Sequence, residues 1–312
     1  SLHLAQIKTP GELSWPVIPG HEVAGIVAQA GPGVTDWHAG DHVVVHPAQT
    51  CGACPMCLRG HTNLCQNPRV IGLHQAGGFA EYIRVPAENV QLGTLLLPDT
   101  VSFEEGTLIE PMACCLKGVR RSNVEPGDTV AIVGLGFMGM CYLELLAIYP
   151  AGKIFVLDFS DWRLEKASSL GATHSINPKI EDAVVKLKDQ NDGRGADAVF
   201  VTAPTVDAWE LGLQLCEKGA HLHFGAPPHP DKVWSVHPAN LYFREIHTNS
   251  SFSSNSVDTA AVLDLLAAKR LDTDALITHR FGLDRVGEAI QLLLKADRSL
   301  KSLIYPSLTG QP

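Results

Sequence analysis

The segment Thr129–Asp158 constrains the fold more than any other part of the chain. An apolar run, Thr129–Val133, leads into glycines spaced as G-x-G-x-x-G, then an apolar helical stretch and a second apolar run ending at Asp158. In this pattern the first glycine permits a tight turn, the second lets backbone approach a pyrophosphate, and the third lets the helix pack against the strand. We therefore predict a strand, a helix and a parallel strand, with a dinucleotide at the helix N-terminus. The residues predicted to contact the pyrophosphate are Gly134, Gly136, Phe137, Met138 and Gly139.

The acidic residue at the end of this segment indicates which dinucleotide is bound. Asp158 closes the second predicted strand, where a carboxylate accepts hydrogen bonds from the ribose hydroxyls. A 2′-phosphate next to this carboxylate would be repelled. The sequence therefore predicts NAD rather than NADP.

Length and charge exclude several other classes of protein. The chain has 312 residues, which exceeds one typical hydrophobic core, so we expect two domains. Its formal net charge of −9 argues against nucleic-acid binding, which requires a basic patch. No apolar run approaches the roughly 20 residues of a membrane span, and the first residues lack the pattern of a signal peptide. We expect a globular cytoplasmic protein that binds a small molecule and neither nucleic acid nor membrane.

Alternating strands and helices follow Glu125 and predict an α/β fold. The expected strands and helices after Asp158 are helix 161–170, strand 173–176, helix 181–190, strand 197–202, helix 206–216 and strand 220–224. Such alternation predicts a doubly wound parallel sheet with helices on both faces. The preceding part has strand-like runs at 23–27, 42–46 and 79–85, then a helical pattern at 102–119 that we expect to be interrupted near Pro111.

Four of the eight cysteines are crowded into one short stretch: Cys51, Cys54, Cys57 and Cys65. Zinc favours tetrahedral thiolate coordination, and two-residue spacers let a turning backbone direct successive sulfurs at one centre. Four thiolates leave no open position, so the predicted zinc site is structural. An iron–sulfur cluster and two disulfides are the alternatives. The scattered cysteines 114, 115, 141 and 216 are interpreted as small buried hydrophobic residues.

Several ordered motifs carry a resemblance that covers essentially the whole chain. These are the cysteine cluster, Gly20-His21-Glu22, Gly77-Gly78-Phe79-Ala80-Glu81-Tyr82, Glu110-Pro111 and Leu276-Ile277-Thr278-His279. Together they resemble the zinc-dependent medium-chain alcohol dehydrogenases, and the Glu-Pro pair resembles the polyol and sugar dehydrogenase branch. The resemblance implies a GroES-like β-rich catalytic domain over residues 1–112 and 257–312. It also implies an NAD-binding Rossmann domain over residues 113–256.

The resemblance further implies a second, catalytic zinc. His21 and Glu110 match ligand positions of the family, and Glu22 matches a residue that lies beside the metal or exchanges with a ligand. The family's remaining ligand is a Cys in a segment like C-G-[ST]-D-x-H. If His3 aligns with the last residue of that segment, this Cys would precede Ser1 by three residues. Either the sequence continues before Ser1 or the catalytic zinc site is incomplete, and His3 is a candidate for part of a proton relay.

By the same resemblance, further residues should contact the cofactor. Arg163 should flank the adenine ribose, whereas the predicted strand ends should border the nicotinamide. The strand-end residues are Thr202, Gly225 and Ala226, and the segment with Ser251 and Phe252 resembles a further contact of the nicotinamide. The segment around Ser251 also resembles the strand through which subunits pair, so a homodimer or homotetramer is expected.

The sequence thus predicts a zinc-dependent oxidoreductase that transfers a hydride between a secondary alcohol, such as a polyol or sugar, and NAD. Two alternatives stay open at this point. One is a related enzyme of the same superfamily, such as a threonine dehydrogenase. The other is a catalytically incomplete protein that binds a dinucleotide and only the structural zinc.

Overall fold

The computed structural model describes residues 16–295 and 298–306. The chain divides into two compact units, and each is described separately. The first unit contains the residues up to Ala113 and those from Phe252 onward, and the second is Cys114–Ser251. His3 lies outside the described residues.

Strands occur in both units. In chain order they are β1 (Val23–Ile26), β2 (His42–Val45), β3 (Ala48–Gln49), β4 (Arg69–Val70), β5 (Thr94–Leu96), β6 (Thr129–Val133), β7 (Lys153–Leu157), β8 (His174–Ile176), β9 (Ala196–Val201), β10 (Cys216–Phe224), β11 (His247–Ser250), β12 (Ile277–Gly282) and β13 (Lys301–Tyr305).

The α-helices are α1 (Pro55–Leu58), α2 (Ala87–Leu92), α3 (Phe103–Arg121), α4 (Phe137–Ile148), α5 (Asp161–Ser169), α6 (Ala183–Gln190), α7 (Val206–Leu215), α8 (Pro238–Tyr242), α9 (Ser256–Ala267) and α10 (Val286–Lys295). Short 3₁₀ turns occur at Thr62–Leu64, Asp274–Leu276 and Leu283–Arg285. Within the described ranges, none of the helices has both the length and the apolar character needed to traverse a bilayer.

The second unit is built on a six-stranded sheet in the order β11-β10-β9-β6-β7-β8. Every pair of neighbouring strands is parallel. Counted within this unit, the order is 3-2-1-4-5-6 from β8 to β11, which is the Rossmann topology. All five residues of β6 are buried, as expected for a strand covered on both faces. The predicted doubly wound parallel sheet is confirmed.

Strand β10 is longer than the sequence pattern predicts. It begins at Cys216 rather than at Ala220, because Cys216 pairs with Ala196 before the register shifts ahead of His221. The glycine-containing turn at Gly219, whose φ is +79°, lies within this irregular part of the strand.

The first unit contains smaller sheets. Strands β1, β2 and β5 form an antiparallel sheet in that order, with Val43, Val44 and Val45 of the central strand buried. Strands β3 and β4 pair antiparallel, whereas β12 and β13 pair parallel. The strands of this unit are short and are joined by long loops. Most of the candidate metal ligands lie on those loops.

The predicted strand at 79–85 is wrong. Residues 79–85 form no strand, and their burial does not alternate, because Phe79 and Ala80 are both partly buried whereas Glu81 and Tyr82 are both exposed. The backbone just before it pairs with a loop instead, since the N–H groups of Gly77, Gly78 and Phe79 donate to carbonyls of residues 18–20 at 2.8–3.0 Å. A strand requires a neighbouring strand to complete its ladder of hydrogen bonds, and an alternating sequence alone does not supply that neighbour.

The predicted interruption at Pro111 is also wrong, because α3 continues through this residue. Proline inside a helix removes one hydrogen bond and costs about 3 kcal/mol. Residues on both sides of it are fully buried, including Leu108, Ile109, Met112 and Ala113. Packing of these side chains outweighs the local cost and keeps the helix continuous.

Candidate metal centres and dinucleotide site

The four clustered cysteines converge in the first unit. Each offers a sulfur, and the four sulfurs all lie within 4.8 Å of one another. Helix α1 begins directly after Cys54 and carries Cys57, while the 3₁₀ turn at Thr62–Leu64 delivers Cys65. None of the four forms a disulfide, so the alternative of two disulfides does not hold in this structure.

Backbone N–H groups surround these sulfurs. Cys51 Sγ accepts from the N–H of Cys54 at 3.3 Å, Cys54 Sγ from Gln66 at 3.5 Å, and Cys65 Sγ from Cys51 at 3.3 Å. The N–H groups of Gln66 and Cys57 lower the pKa of Cys54 to about 6. Donors aimed at sulfur stabilise thiolates, which are the form that binds zinc.

Cys57 differs, because burial raises the pKa of its thiol to about 12. A buried thiolate among other thiolates requires a positive charge nearby, and a dication supplies it. Four convergent sulfurs with backbone donors therefore fit a structural zinc ion.

His21, Glu22 and Glu110 form a second convergent group in the same unit. Each offers one ligand atom, and these atoms lie within 4.8 Å of one another. Glu110 is buried at 9% exposure on α3, whereas His21 and Glu22 are half-buried on the loop before β1. One imidazole and two carboxylates are a donor set that suits zinc and leaves coordination positions open. The structure thus brings together the three residues that the resemblance implied as ligands.

Lys301 on β13 forms an ion pair and hydrogen bond with Glu22. Burial opposes ionisation of Glu22, but the charges of Lys301 and His21 outweigh it and lower the pKa of this carboxyl. The carboxylate is therefore charged beside His21. Lys301 was not predicted from the sequence, because it is 279 positions away from Glu22 along the chain.

A cluster of glycines holds the His21–Glu22 loop in place. Gly20 has φ +98°, and Gly72 and Gly77 both approach its carbonyl oxygen. A Cβ on Gly77 would lie 2.2 Å from that oxygen, and one on Gly72 would lie 2.5 Å from it. Only glycine permits this crossing of three backbone segments. The Gly77-Gly78 pair is part of the family resemblance, whereas Gly72 carries no sequence signal of its own.

The glycine turn after β6 has the geometry of a phosphate-binding loop. Gly134 has φ +96°, and a Cβ on Gly139 would lie 2.0 Å from the Gly134 carbonyl oxygen. A Cβ on Gly136, by contrast, would meet no atom within 4 Å. Phe137 and Met138 open α4, whose N-terminus has no side-chain cap. The open space at Gly136 and the positive end of the α4 helix dipole fit a pyrophosphate.

Asp158 faces this turn from the end of β7. Its Oδ2 accepts from the N–H of Leu135 at 2.7 Å, and its Oδ1 accepts from the N–H of Ser160 at 2.9 Å. Arg163 on α5 lies 3.5 Å from the same carboxylate. The structure therefore brings Asp158, Arg163 and the glycine turn together.

The remaining predicted cofactor contacts lie at the carboxyl ends of the strands. Thr202 donates its hydroxyl hydrogen to the Gly134 carbonyl at 2.6 Å, so it adjoins the glycine turn. The N–H of Gly225 donates to Val201 at 2.8 Å, and the carbonyl of Ala226 accepts from Trp209 at 3.1 Å. This edge is where parallel sheets bind their ligands.

Ser251 and Phe252 were predicted as a pair, but they belong to different units. Ser251 Oγ lies 3.4 Å from Nε2 of the buried His223. Phe252 has an exposed side chain, and its carbonyl accepts from Asn63 of the cysteine-rich loop at 2.8 Å. His223 and its partner Tyr142 were not predicted, because single polar residues in apolar runs carry no periodic signal.

Comparison with known proteins identifies the family. Residues 2–96 match the family model of the alcohol dehydrogenase GroES-like domain, and residues 138–268 match the family model of zinc-binding dehydrogenases. Sorbitol dehydrogenase from Bacillus subtilis (strain 168) is 31% identical over 94% of this chain and 82% of that protein. L-threonine 3-dehydrogenase from Pyrococcus abyssi is 34% identical over 89% of this chain and 79% of that protein.

A solved structure agrees with these matches. A zinc-binding dehydrogenase from Sinorhizobium meliloti 1021 bound to NADP superposes with a TM-score of 0.89. The two sequences are 30% identical, and the match covers 95% of this chain and 86% of the other.

The Rossmann unit and the metal-ligand clusters define a class, the metal-dependent oxidoreductases that use a dinucleotide. Within that class, the chain belongs to the zinc-binding medium-chain alcohol dehydrogenases, in the branch that includes polyol dehydrogenases. The predicted family and the GroES-like and Rossmann domain types are confirmed. The chain is a zinc-dependent oxidoreductase with a dinucleotide cofactor and a small-molecule substrate.

Proposed function

We propose that this enzyme transfers a hydride between a secondary alcohol of a polyol or sugar and NAD. The convergence of His21, Glu22 and Glu110 carries the proposal, because it supplies an open metal site in a member of this family. The 31% identity to a sorbitol dehydrogenase supports the polyol class of substrate.

The proposed roles of the residues follow from their contacts. His21 and Glu110 would hold the catalytic zinc, and Glu22 would lie beside it with its carboxylate oriented by Lys301. When bound at these residues, a zinc ion would supply Lewis acidity toward a substrate hydroxyl, and NAD would supply the hydride acceptor. The cysteine-rich loop would hold a second zinc that stabilises a segment with little regular structure.

The proposed preference for NAD rests on Asp158. Its carboxylate is fixed by two backbone N–H groups at the end of β7. In that position it would accept hydrogen bonds from the ribose hydroxyls and repel a 2′-phosphate. Arg163 would flank the ribose, while Thr202, Gly225, Ala226, Ser251 and Phe252 would border the nicotinamide.

Turnover tests the proposed activity. Purified protein would be assayed with sorbitol, 2,3-butanediol, ethanol and L-threonine, each with NAD or NADP, by the absorbance of the reduced cofactor. We expect the polyols to be oxidised with NAD, and His21→Ala to abolish turnover. His38→Ala, a change at an exposed histidine of the same unit and outside both metal-ligand groups, is the matched control and should leave turnover unchanged. Activity with ethanol alone would contradict the proposed substrate class.

L-threonine is the second candidate substrate, favoured by the 34% identity to a threonine dehydrogenase. Its oxidation also acts on a secondary hydroxyl and would use the same zinc ligands. A higher kcat/KM for L-threonine than for every polyol would favour this candidate.

Three further features belong to the proposal. We expect residues 1–112 and 257–312 to act as the catalytic domain and residues 113–256 as the NAD-binding domain. A homodimer or homotetramer would pair through the edge strand β11, next to the exposed Tyr242 and Phe243; light scattering would measure the mass. We also expect a cytoplasmic location, because thiols free to bind metal persist in a reducing compartment.

A further inference from the structure

His223 is a buried polar residue in the middle of the Rossmann sheet. It lies on β10, two positions before Gly225, and its exposure is 0%. Burying an imidazole costs free energy unless its nitrogens have hydrogen-bond partners. Burial also lowers the pKa of His223 to about 4, so the ring is neutral under ordinary conditions. A neutral ring has one N–H donor and one acceptor nitrogen.

Both nitrogens of His223 have partners from other elements. Its Nδ1 lies 2.5 Å from Oδ1 of Asn249 on β11, and its Nε2 lies 2.9 Å from the hydroxyl of Tyr142 on α4. Since a carbonyl oxygen only accepts, Nδ1 carries the hydrogen and Nε2 accepts from Tyr142. Ser251 Oγ, 3.4 Å from Nε2, is the second hydroxyl on that side.

Two glycines lie against this network, where a larger residue would collide with it. A Cβ on Gly118 of α3 would lie 2.3 Å from the Tyr142 hydroxyl and 2.6 Å from His223 Nε2. A Cβ on Gly225 would lie 3.1 Å from the Tyr142 ring. The network is therefore enclosed by two helices and two strands, and it ends at the segment that leaves β11.

We propose that His223 is a positioning residue that fixes Ser251 and the end of β11 relative to Gly225, and thereby shapes the nicotinamide half of the dinucleotide site. The inference rests on the proposed function, in which Gly225 and Ser251 border the nicotinamide. His223 does not touch the cofactor in this account. It acts through Asn249, Tyr142 and Ser251.

The two halves of the cofactor should respond differently to loss of this network. The adenosine half is proposed to bind at the glycine turn and Asp158, which follow β6 and β7. In the sheet, β7 is three strands away from β10. Loosening the end of β11 should therefore weaken the contacts of the nicotinamide and leave those of ADP-ribose intact.

Binding of NADH and of ADP-ribose to the full chain tests the proposal by calorimetry. His223→Leu leaves buried hydroxyl and amide groups unpaired and would reduce stability. The triple variant Tyr142→Phe, His223→Leu, Asn249→Leu replaces the three polar side chains by apolar ones. It avoids the unpaired groups that would destabilise His223→Leu, so a change in ligand affinity can be measured separately from a loss of stability. His174→Leu, on the opposite edge strand β8, is the matched control.

The expected result is at least about a tenfold loss of NADH affinity in the triple variant, corresponding to about 1.4 kcal/mol, with ADP-ribose affinity unchanged. His174→Leu should alter neither affinity. Equal loss of both ligands, or no loss of NADH affinity, would overturn the positioning role. Wild-type protein that bound neither ligand would overturn the proposed dinucleotide function itself.

Discussion

Cys54 accepts a hydrogen bond at its sulfur from the backbone N–H of Gln66, and this donor contributes to its lowered pKa. The variant Cys54→Ser removes one of the four proposed zinc ligands. We expect one zinc fewer per chain by elemental analysis, because the zinc loop loses tetrahedral thiolate coordination. Loss of this zinc should lower the free energy of unfolding by about 3 kcal/mol. A loss of that size corresponds to a fall of about 6–12 °C in Tm.

Cys114→Ser is the control for this prediction, since Cys114 lies on α3 and outside both metal-ligand groups. It should leave the zinc content unchanged. Retention of full zinc content by Cys54→Ser would contradict the assignment of the four cysteines.

Asp158 is the residue that we propose selects NAD over NADP. Asp158→Asn removes the negative charge but keeps an oxygen that can accept from the N–H of Leu135. We expect the KM for NAD to rise about tenfold, because a charged hydrogen bond is replaced by a neutral one. The KM for NADP should fall, because the 2′-phosphate is no longer repelled.

The exposed Asp189 on α6 provides a control of equal charge change. Asp189→Asn should alter neither KM. An unchanged ratio of the two KM values in Asp158→Asn would rule out this carboxylate as the selector.

At the scale of elements, Glu104 links α3 to the pair β12–β13. It accepts two hydrogen bonds from Arg280, each 2.6 Å long, and one from the hydroxyl of Tyr305. The Arg280 hydrogen bonds lower the pKa of the Glu104 carboxyl, against an opposing effect of burial. Because the folded pKa is depressed, the stabilisation exists above the unfolded pKa of about 4.3 and is lost as pH falls through the folded value.

We therefore expect Glu104→Gln to reduce the free energy of unfolding by about 1 kcal/mol near neutral pH, since the pair is partly exposed. The difference from wild type should shrink below about pH 4. Urea unfolding at several pH values measures it. Glu288→Gln, which breaks the solvent-exposed pair with Arg285, should leave unfolding unchanged. A difference that persisted at low pH would contradict the ionic origin.

In the turn between β6 and α4, substitutions at two glycines should have different effects on stability and on ligand binding. Gly136 has φ −63°, which any residue adopts, and its Cβ would project into open space. Gly136→Ala should fold with wild-type Tm but lose NADH binding, because the methyl group would occupy the space of the pyrophosphate. Gly139→Ala should have a lower Tm and should also lose NADH binding, since its Cβ would lie 2.0 Å from the Gly134 carbonyl oxygen.

Calorimetry with NADH and thermal unfolding together check this pair of variants. Gly31→Ala, at an exposed position with no atom within 4 Å of the added Cβ, should behave as wild type. If Gly136→Ala bound NADH with wild-type affinity, the pyrophosphate could not lie against Gly136 and the prediction would be wrong.

Local sequence patterns predicted the elements of the Rossmann unit well, because strand, turn and helix there each carry their own signal. Thr129–Val133 is apolar throughout and is a strand with all five residues buried. The patterns failed where the outcome depends on distant partners. The run at 79–85 alternates like a strand but pairs its flanking backbone with residues 18–20, and α3 passes Pro111 because buried neighbours hold both halves.

The same limit applies to the candidate sites. The four cysteines lie close together in sequence, so their spacing alone predicted a metal site. His21, Glu22 and Glu110 required a family resemblance, since the last is far from the first two. Lys301 and His223 were missed, because their roles arise only when folding brings them to Glu22 and Tyr142.

At the scale of the whole molecule, one chain carries the two functions that a zinc-dependent dehydrogenase needs. The first unit contains both metal-ligand groups, and the second contains the glycine turn and Asp158. The chain passes from one unit to the other at Ala113 and returns at Phe252. The second unit is thus inserted into the first along the chain.

The dependence of polyol oxidation on zinc tests the central claim most directly. Reduction of NAD by sorbitol would be followed while zinc is removed by a chelator and then restored, with zinc content measured at each step. We predict that turnover is lost as the zinc proposed to bind at His21, Glu22 and Glu110 is removed. Turnover should return when zinc is added back. Zinc-replete protein that oxidises no secondary alcohol, or turnover that survives complete removal of zinc, would contradict the account.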